Sequence, residues 1–136
     1  MLQAYSSNLS VAANTNFPFN NVTVDKGCAE KLTAPASIEL EKRGVYLVEV
    51  DGYGTADAAT LVSAQLYVNG VAQPQALSTF TGVSGAADTF SFKTLVQVTE
   101  NNCNCNCCSS PTVLQIRNGA TALTDAHINV VVTKIC

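Results

Sequence analysis

The sequence predicts an all-β protein, an antiparallel sandwich or barrel of about eight to ten strands. Period-2 alternation of apolar and polar residues recurs along the chain while no sustained helical period does. Gly, Pro and Asn punctuate the apolar runs every 8 to 12 residues or so. At 136 residues, with no second composition regime and no linker, the chain (1–136) reads as a single domain.

The elements follow in order. "NLSVA" and "NVTV" are short strand candidates near the start, and "SIELEK" sets Ile38 and Leu40 against Glu39 and Glu41. "VYLVEVDGY" puts Tyr46, Val48 and Val50 on one face and Leu47, Glu49 and Asp51 on the other, the pattern of a half-buried strand. In "ATLVSAQLYVNGVAQPQ", Val62, Ala64, Leu66 and Val68 alternate with Ser63, Gln65 and Tyr67 up to Asn69-Gly70. That dipeptide tolerates the positive φ of a tight hairpin. "DTFSFKTLVQVTE" turns Phe90, Phe92, Val96 and Val98 inward, and "TVLQIRNGA" does the same for Leu114 and Ile116 before a second Asn-Gly turn at Asn118 and Gly119. "HINVVVTKI" carries Val130, Val131 and Val132 in succession, so it is apolar on both faces and belongs in the middle of a sheet.

Charged residues form 12% of the chain, against about 25% in a typical soluble domain. Leu47, Leu61, Tyr67, Leu95, Val131 and Ile135 also interrupt the otherwise polar faces. A charge-poor exterior with several apolar interruptions fits a surface covered by another copy of the chain, since interface cores are depleted of charge. The net charge is −3, and the seven Lys and Arg residues are scattered, with only Lys42 and Arg43 adjacent, so there is no stripe to follow a phosphate backbone. Nucleic acid is therefore not an expected partner. Nor does any run reach the roughly 18 apolar residues of a membrane span.

"MLQAYSSNLS" lacks the basic start and apolar stretch of a secretory signal, and the expectation is synthesis in a cytosol. Six cysteines are unusual there, because cytosolic thiols stay reduced. Asn8-Leu9-Ser10 and Asn21-Val22-Thr23 match the glycosylation acceptor pattern, which without a signal peptide reads as chance.

An early extended segment "AYSSNLSVAANTNFPFN" is followed by "IELEKRGVYLVEVDGY", with Gly44-Val45-Tyr46 entering an inner strand. Then come "AQLYVNGV", "FSFKTLVQVTENN" and the closing "LQIRNGATALTDAHINVVVTKI". In order and spacing this series resembles the trimeric jelly-roll domains of the tumour-necrosis-factor and complement-globular-head type. It resembles especially the versions carried on bacteriophage particles and bacterial spore surfaces. The resemblance covers nearly the whole chain. It implies a jelly-roll sandwich of eight to ten strands assembled as a homotrimer, and a structural place on a virion surface as a capsid decoration or head-fibre subunit. A major capsid or other virion protein is then a partner, and host cell-surface glycan a second one if the subunit is also adhesive. Such proteins are made without signal peptides yet work outside the cell, where disulfides persist. No collagen-like Gly-X-Y stalk precedes the domain, which favours the phage setting over the spore-surface tip. A soluble carbohydrate- or receptor-binding module is the alternative.

No cofactor and no catalytic residue is expected. The single histidine, His127, has Asp125 two residues away, but no nucleophile motif such as Gly-x-Ser-x-Gly accompanies it. In a jelly roll the first and last strands are neighbours, so the resemblance makes Cys28 and Cys136 candidates for a structural disulfide. Closing so long a loop is worth about 4–5 kcal/mol in the chain-entropy model. Cys103, Cys105, Cys107 and Cys108 crowd the polar connection "NNCNCNCCSS". They are candidates for interchain crosslinks across a threefold axis. A zinc or soft-metal site is the lesser reading, since structural zinc sites usually draw ligand pairs from two separate segments. Isolated free thiols are the third.

Overall fold

The computed structural model describes residues 1–99 and 111–136. Ten strands are present among them: β1 (Leu2–Val11), β2 (Asn21–Asp25), β3 (Glu30–Ala34), β4 (Ser37–Leu40), β5 (Gly44–Ala56), β6 (Leu61–Val68), β7 (Val71–Thr81), β8 (Ala87–Val98), β9 (Thr112–Asn118) and β10 (Leu123–Lys134). They form two five-stranded sheets, ordered β2-β1-β10-β5-β8 and β3-β4-β9-β6-β7. Every pairing is antiparallel, and β1 lies beside β10 with Leu2 opposite Val132. This is the expected jelly roll, with the chain's two ends in adjacent strands.

Alternation delivers one face of each sheet to a shared core. Tyr46, Val48 and Val50 of β5, Val62, Ala64 and Leu66 of β6, Leu114 and Ile116 of β9, and Ile128, Val130 and Val132 of β10 are all buried. Burying each of these larger aliphatic chains stabilises the fold by roughly 1.5–3 kcal/mol. Val131, between two buried valines, faces outward from the central strand β10, which accounts for an unbroken apolar run. Phe17 and Phe19 close the sandwich from the segment after β1. Phe17 packs 5.5 Å from Phe90 between ring centroids, and its N–H donates to the Ile116 carbonyl at 2.8 Å.

Asn69 and Gly70 both take positive φ, 50° and 79°, and turn β6 into β7 as the Asn-Gly dipeptide predicts. Asn118-Gly119 behaves differently. It ends a strand of one sheet and leads across to β10 in the other, so no hairpin forms. The buried Asn118 amide donates to the carbonyls of Val11, Ala12 and Thr121, at 3.4, 3.2 and 2.9 Å, and holds this crossing in place.

Tyr46 is fully buried, and its hydroxyl donates to the Lys42 carbonyl at 2.6 Å. Burial, reinforced by the nearby Glu30 and Glu41 charges against that hydrogen bond, pushes its pKa up from 10.0 to about 12. A phenol whose folded pKa exceeds its unfolded value contributes stability below pH 10 that disappears as pH rises through about 12. Denaturant midpoints should therefore fall between pH 10 and 12, and the fall should be smaller in Tyr46→Phe. An equally steep fall in that variant would show that another group is responsible.

Candidate subunit interface

Among the described residues, no layer of the protomer covers the outward face of the β2-β1-β10-β5-β8 sheet. Cross-strand register builds it in rows. Thr133, Leu47 and Leu95 lie across β10, β5 and β8, and the next row runs Gln3, Val131, Glu49, Lys93 from β1. Tyr5, Asn129, Asp51 and Ser91 follow, then His127, Tyr53 and Thr89. Leu95 is 57% exposed and Tyr53 46%, but Leu61 at 60% and Val71 at 63% in the other sheet are no less so, and what sets this face apart is that register stands its apolar and aromatic side chains together.

The aromatic corner is set by irregularities in pairing. Between Ser6 and Leu9, β1 carries an extra residue relative to β10, and β10 shifts against β5 between Thr124 and His127. Asn8 and Asp125, at φ of 55° and 48°, supply the left-handed backbone there, a conformation Asn and Asp tolerate. The bulge lets Ser7 reach past its neighbours: its Oγ lies 2.9 Å from His127 Nδ1. His127 stacks on Tyr53 at 5.3 Å and 14°, with Tyr5 on its other side at 6.2 Å. Asp125 belongs to the bulge and has no hydrogen bond to the imidazole. Next to this corner, Asn129 accepts from Gln3 at 3.2 Å and donates to Asp51 at 3.3 Å. A depression of about 450 Å³ lies beyond, lined by Glu49, Val50, Asp51, Ser91, Phe92 and Lys93. An apolar corner, an aromatic corner and a narrow polar strip between them make a surface that can bury area while keeping its register.

The apolar interruptions read from sequence divide between the two sheets. Leu47, Leu95 and Val131 share this face, whereas Leu61 and Tyr67 belong to β6 in the other sheet and Ile135 follows β10. The Tyr5–Tyr53–His127–Ser7 cluster was not legible in the sequence, since only the bulged register brings its members together.

The two described cysteines, Cys28 and Cys136, lie at one end of the sandwich. Cys28 precedes β3, where the Lys42 ammonium donates to its sulfur at 2.7 Å, and Cys136 lies where its carbonyl accepts from Val45 N–H at 3.2 Å. Cys28 and Cys136, the candidate disulfide pair, stand as exposed free thiols, and the Cys28 sulfur accepts from Lys42. At this end the buried Glu30 accepts from the Lys134 N–H at 2.7 Å and from the Met1 ammonium at 2.8 Å. Cys103, Cys105, Cys107 and Cys108 lie outside the described residues. The strands bounding that segment end here too, with Val98 opposite Gly44 and Thr112 opposite Leu40. Among the described residues, no group of three or more His, Cys, Asp or Glu side chains fits a metal ion, and no helix is long and apolar enough to cross a membrane.

No protein-family model matches the chain, and no curated protein matches it. Solved structures do match in fold. The globular domain of zebrafish complement 1qA protein superposes with a TM-score of 0.73 at 8% identity, covering 99% of this chain and 96% of that one. The Eiger TNF from S. frugiperda gives 0.69 at 15%, covering 98% and 92%. The phage PRD1 vertex protein P5 gives 0.64 at 18%, covering 99% and 96%. The chain has the jelly roll of the tumour-necrosis-factor and complement globular-head type along its whole described length.

Proposed function

We propose that this chain is a structural subunit of a virion surface, a capsid decoration or head-fibre protein that works as a homotrimer. The carrying observation is the uncovered β2-β1-β10-β5-β8 face, where Leu47, Leu95 and Val131 and the Tyr5–Tyr53–His127 cluster stand outside any core. Likeness of fold to a phage vertex protein supports the setting, and the charge-poor composition supports the assembly. The role is physical rather than catalytic. The trimer attaches to a capsid or other virion protein and presents its remaining surface, in the adhesive version to host glycan. On this reading the thiol-bearing end becomes a covalent staple between subunits once the particle leaves a reducing cytosol. Cys103, Cys105, Cys107 and Cys108 are the candidates for it, while Cys28 and Cys136 remain candidates for a bond within one chain. A second reading, a soluble carbohydrate- or receptor-binding module, keeps the same face but needs no particle; a spore-surface tip is a third setting for the same trimer.

Electron imaging of the particle that contains the chain tests the reading, with threefold density expected on the outside of a shell. Finding the chain only as free protein would favour the soluble module. For the staple, denaturing gels without reductant should show covalent oligomers that collapse on reduction. Reduced protein carrying stoichiometric zinc would support the metal reading instead.

A further inference from the structure

The opposite sheet carries a second polar surface that the assembly reading leaves unused. Its outward face brings Gln65 opposite Arg117 and Tyr67 opposite Gln115. The Arg117 guanidinium lies 3.9 Å from the centre of the Tyr67 ring, and its Nε donates to Asn16 Oδ1 at 3.4 Å. A stack and a hydrogen bond together fix the plane of the fork, reducing the side-chain entropy lost when it binds. Among the described residues no carboxylate pairs with it; the ion pair they contain is Met1–Glu30. The acid on this face, Glu39, stands opposite Lys31.

The flanking amides are each tethered through nitrogen. Gln65 Nε2 donates to the Gln73 carbonyl at 3.2 Å, and Gln115 Nε2 donates to Ser37 Oγ at 3.1 Å. Both amide oxygens are left without a partner among the described residues. Leu77, opposite Gln65 on β7, adds an aliphatic patch that is 42% exposed.

We propose that this surface is a binding site for a carboxylated sugar, a uronic acid within a polysaccharide. A planar fork held open binds a carboxylate through two parallel hydrogen bonds. Two acceptor oxygens beside it suit sugar hydroxyls, and Leu77 suits the C–H face of the ring. A neutral sugar would leave the guanidinium charge without a counter-charge, and the Arg117 stack covers the Tyr67 face that could otherwise pack against a sugar ring. A phosphodiester polymer would need several cations, and the chain, at net charge −3, offers one at this place. The site lies within one protomer, so it deepens the adhesive version of the proposed function without depending on trimer formation. In an oligomer the sites would act together on a long polymer and raise apparent affinity without new contacts.

Calorimetric titration of the purified chain with tetragalacturonate tests the site, with the fully methyl-esterified tetramer as comparison. Saturable binding to the acid is expected, weakened at least tenfold in the ester and in Arg117→Gln. Arg117→Lys, which keeps the charge but loses the fork, should weaken it several-fold, and Gln65→Ala should weaken it with the sedimentation behaviour unchanged. If Arg117→Gln fails to fold, the ester and the lysine variant still decide. Absence of binding, equal binding of the ester, or affinity indifferent to Arg117 would overturn the proposal. So would competition by inorganic phosphate at the same concentration as the uronate, which would mark a general anion site. Any of these results would leave the assembly reading standing, since sedimentation tests that separately.

Discussion

Leu95→Glu is expected to turn the assembled protein into monomers without unfolding it. Leu95 sits on strand β8, at the edge of its sheet among the described residues, 57% exposed and directly opposite Leu47. In the free chain glutamate there would be solvated at little cost. Against a neighbouring copy it would place a carboxylate in an apolar contact, which costs at least about 2 kcal/mol at each interface. With 1.4 kcal/mol per factor of ten, that is about 30-fold or more per contact, repeated around a closed ring. The check is sedimentation velocity at micromolar concentration alongside circular dichroism. Full assembly of the variant would move the interface away from this face.

Gly52→Ala has the larger effect on the fold itself. Gly52 lies in the centre of β5, paired with Ile128 on one side and Phe90 on the other. An added Cβ would collide with the His127 carbonyl oxygen and sit 2.7 Å from Phe90 Cζ. His127 stands where the shifted register between Thr124 and His127 ends, and its carbonyl leaves no room for a side chain at Gly52. Relief needs either a shift of the β5–β10 register or displacement of Phe90, which itself packs on Phe17. Overpacking of this kind costs about 1–3 kcal/mol, and the melting temperature should fall by roughly 5–10 °C. The tyrosine-to-histidine stacking should change with it, visible in the histidine ring resonances. Wild-type melting in Gly52→Ala would mean that β5 and β10 are less tightly apposed than described.

Much of this architecture is legible in the amino-acid sequence, and the losses have physical causes. Strands β5 and β10 are long and cleanly alternating, and the all-apolar stretch at Val130–Val132 marks a central strand, where β10 lies. β3 left no signal: Glu30–Ala34 is short and does not alternate, and it forms a strand because the edge of β4 offers it a partner. Phe17 and Phe19 read as part of an extended segment, yet both are core residues, since the chain there folds over the open side of the sandwich.

For the candidate interface the limit is sharper. Alternation separates the inner face of a strand from its outer face, but it does not say which sheet the strand joins. Leu47 and Leu61 therefore look alike in sequence and end on opposite sides of the molecule. The Ser7–His127 contact needs a bulge of one residue, and the Arg117–Tyr67 stack needs a diagonal across β6 and β9. Both depend on pairing register, which follows from the assembled sheets. The free Cys28 shows the same dependence, because its sulfur lies against Lys42, a contact created by the packing of the β4–β5 connection.

On the proposed function, the outward face of the β2-β1-β10-β5-β8 sheet joins copies of this chain into a trimer. Sedimentation equilibrium of the purified, reduced chain decides this. A mass three times that of the 14.2 kDa chain is expected, falling to a single chain in Leu95→Glu. A wild-type protein that sediments as one 14.2 kDa chain at micromolar concentration would contradict it.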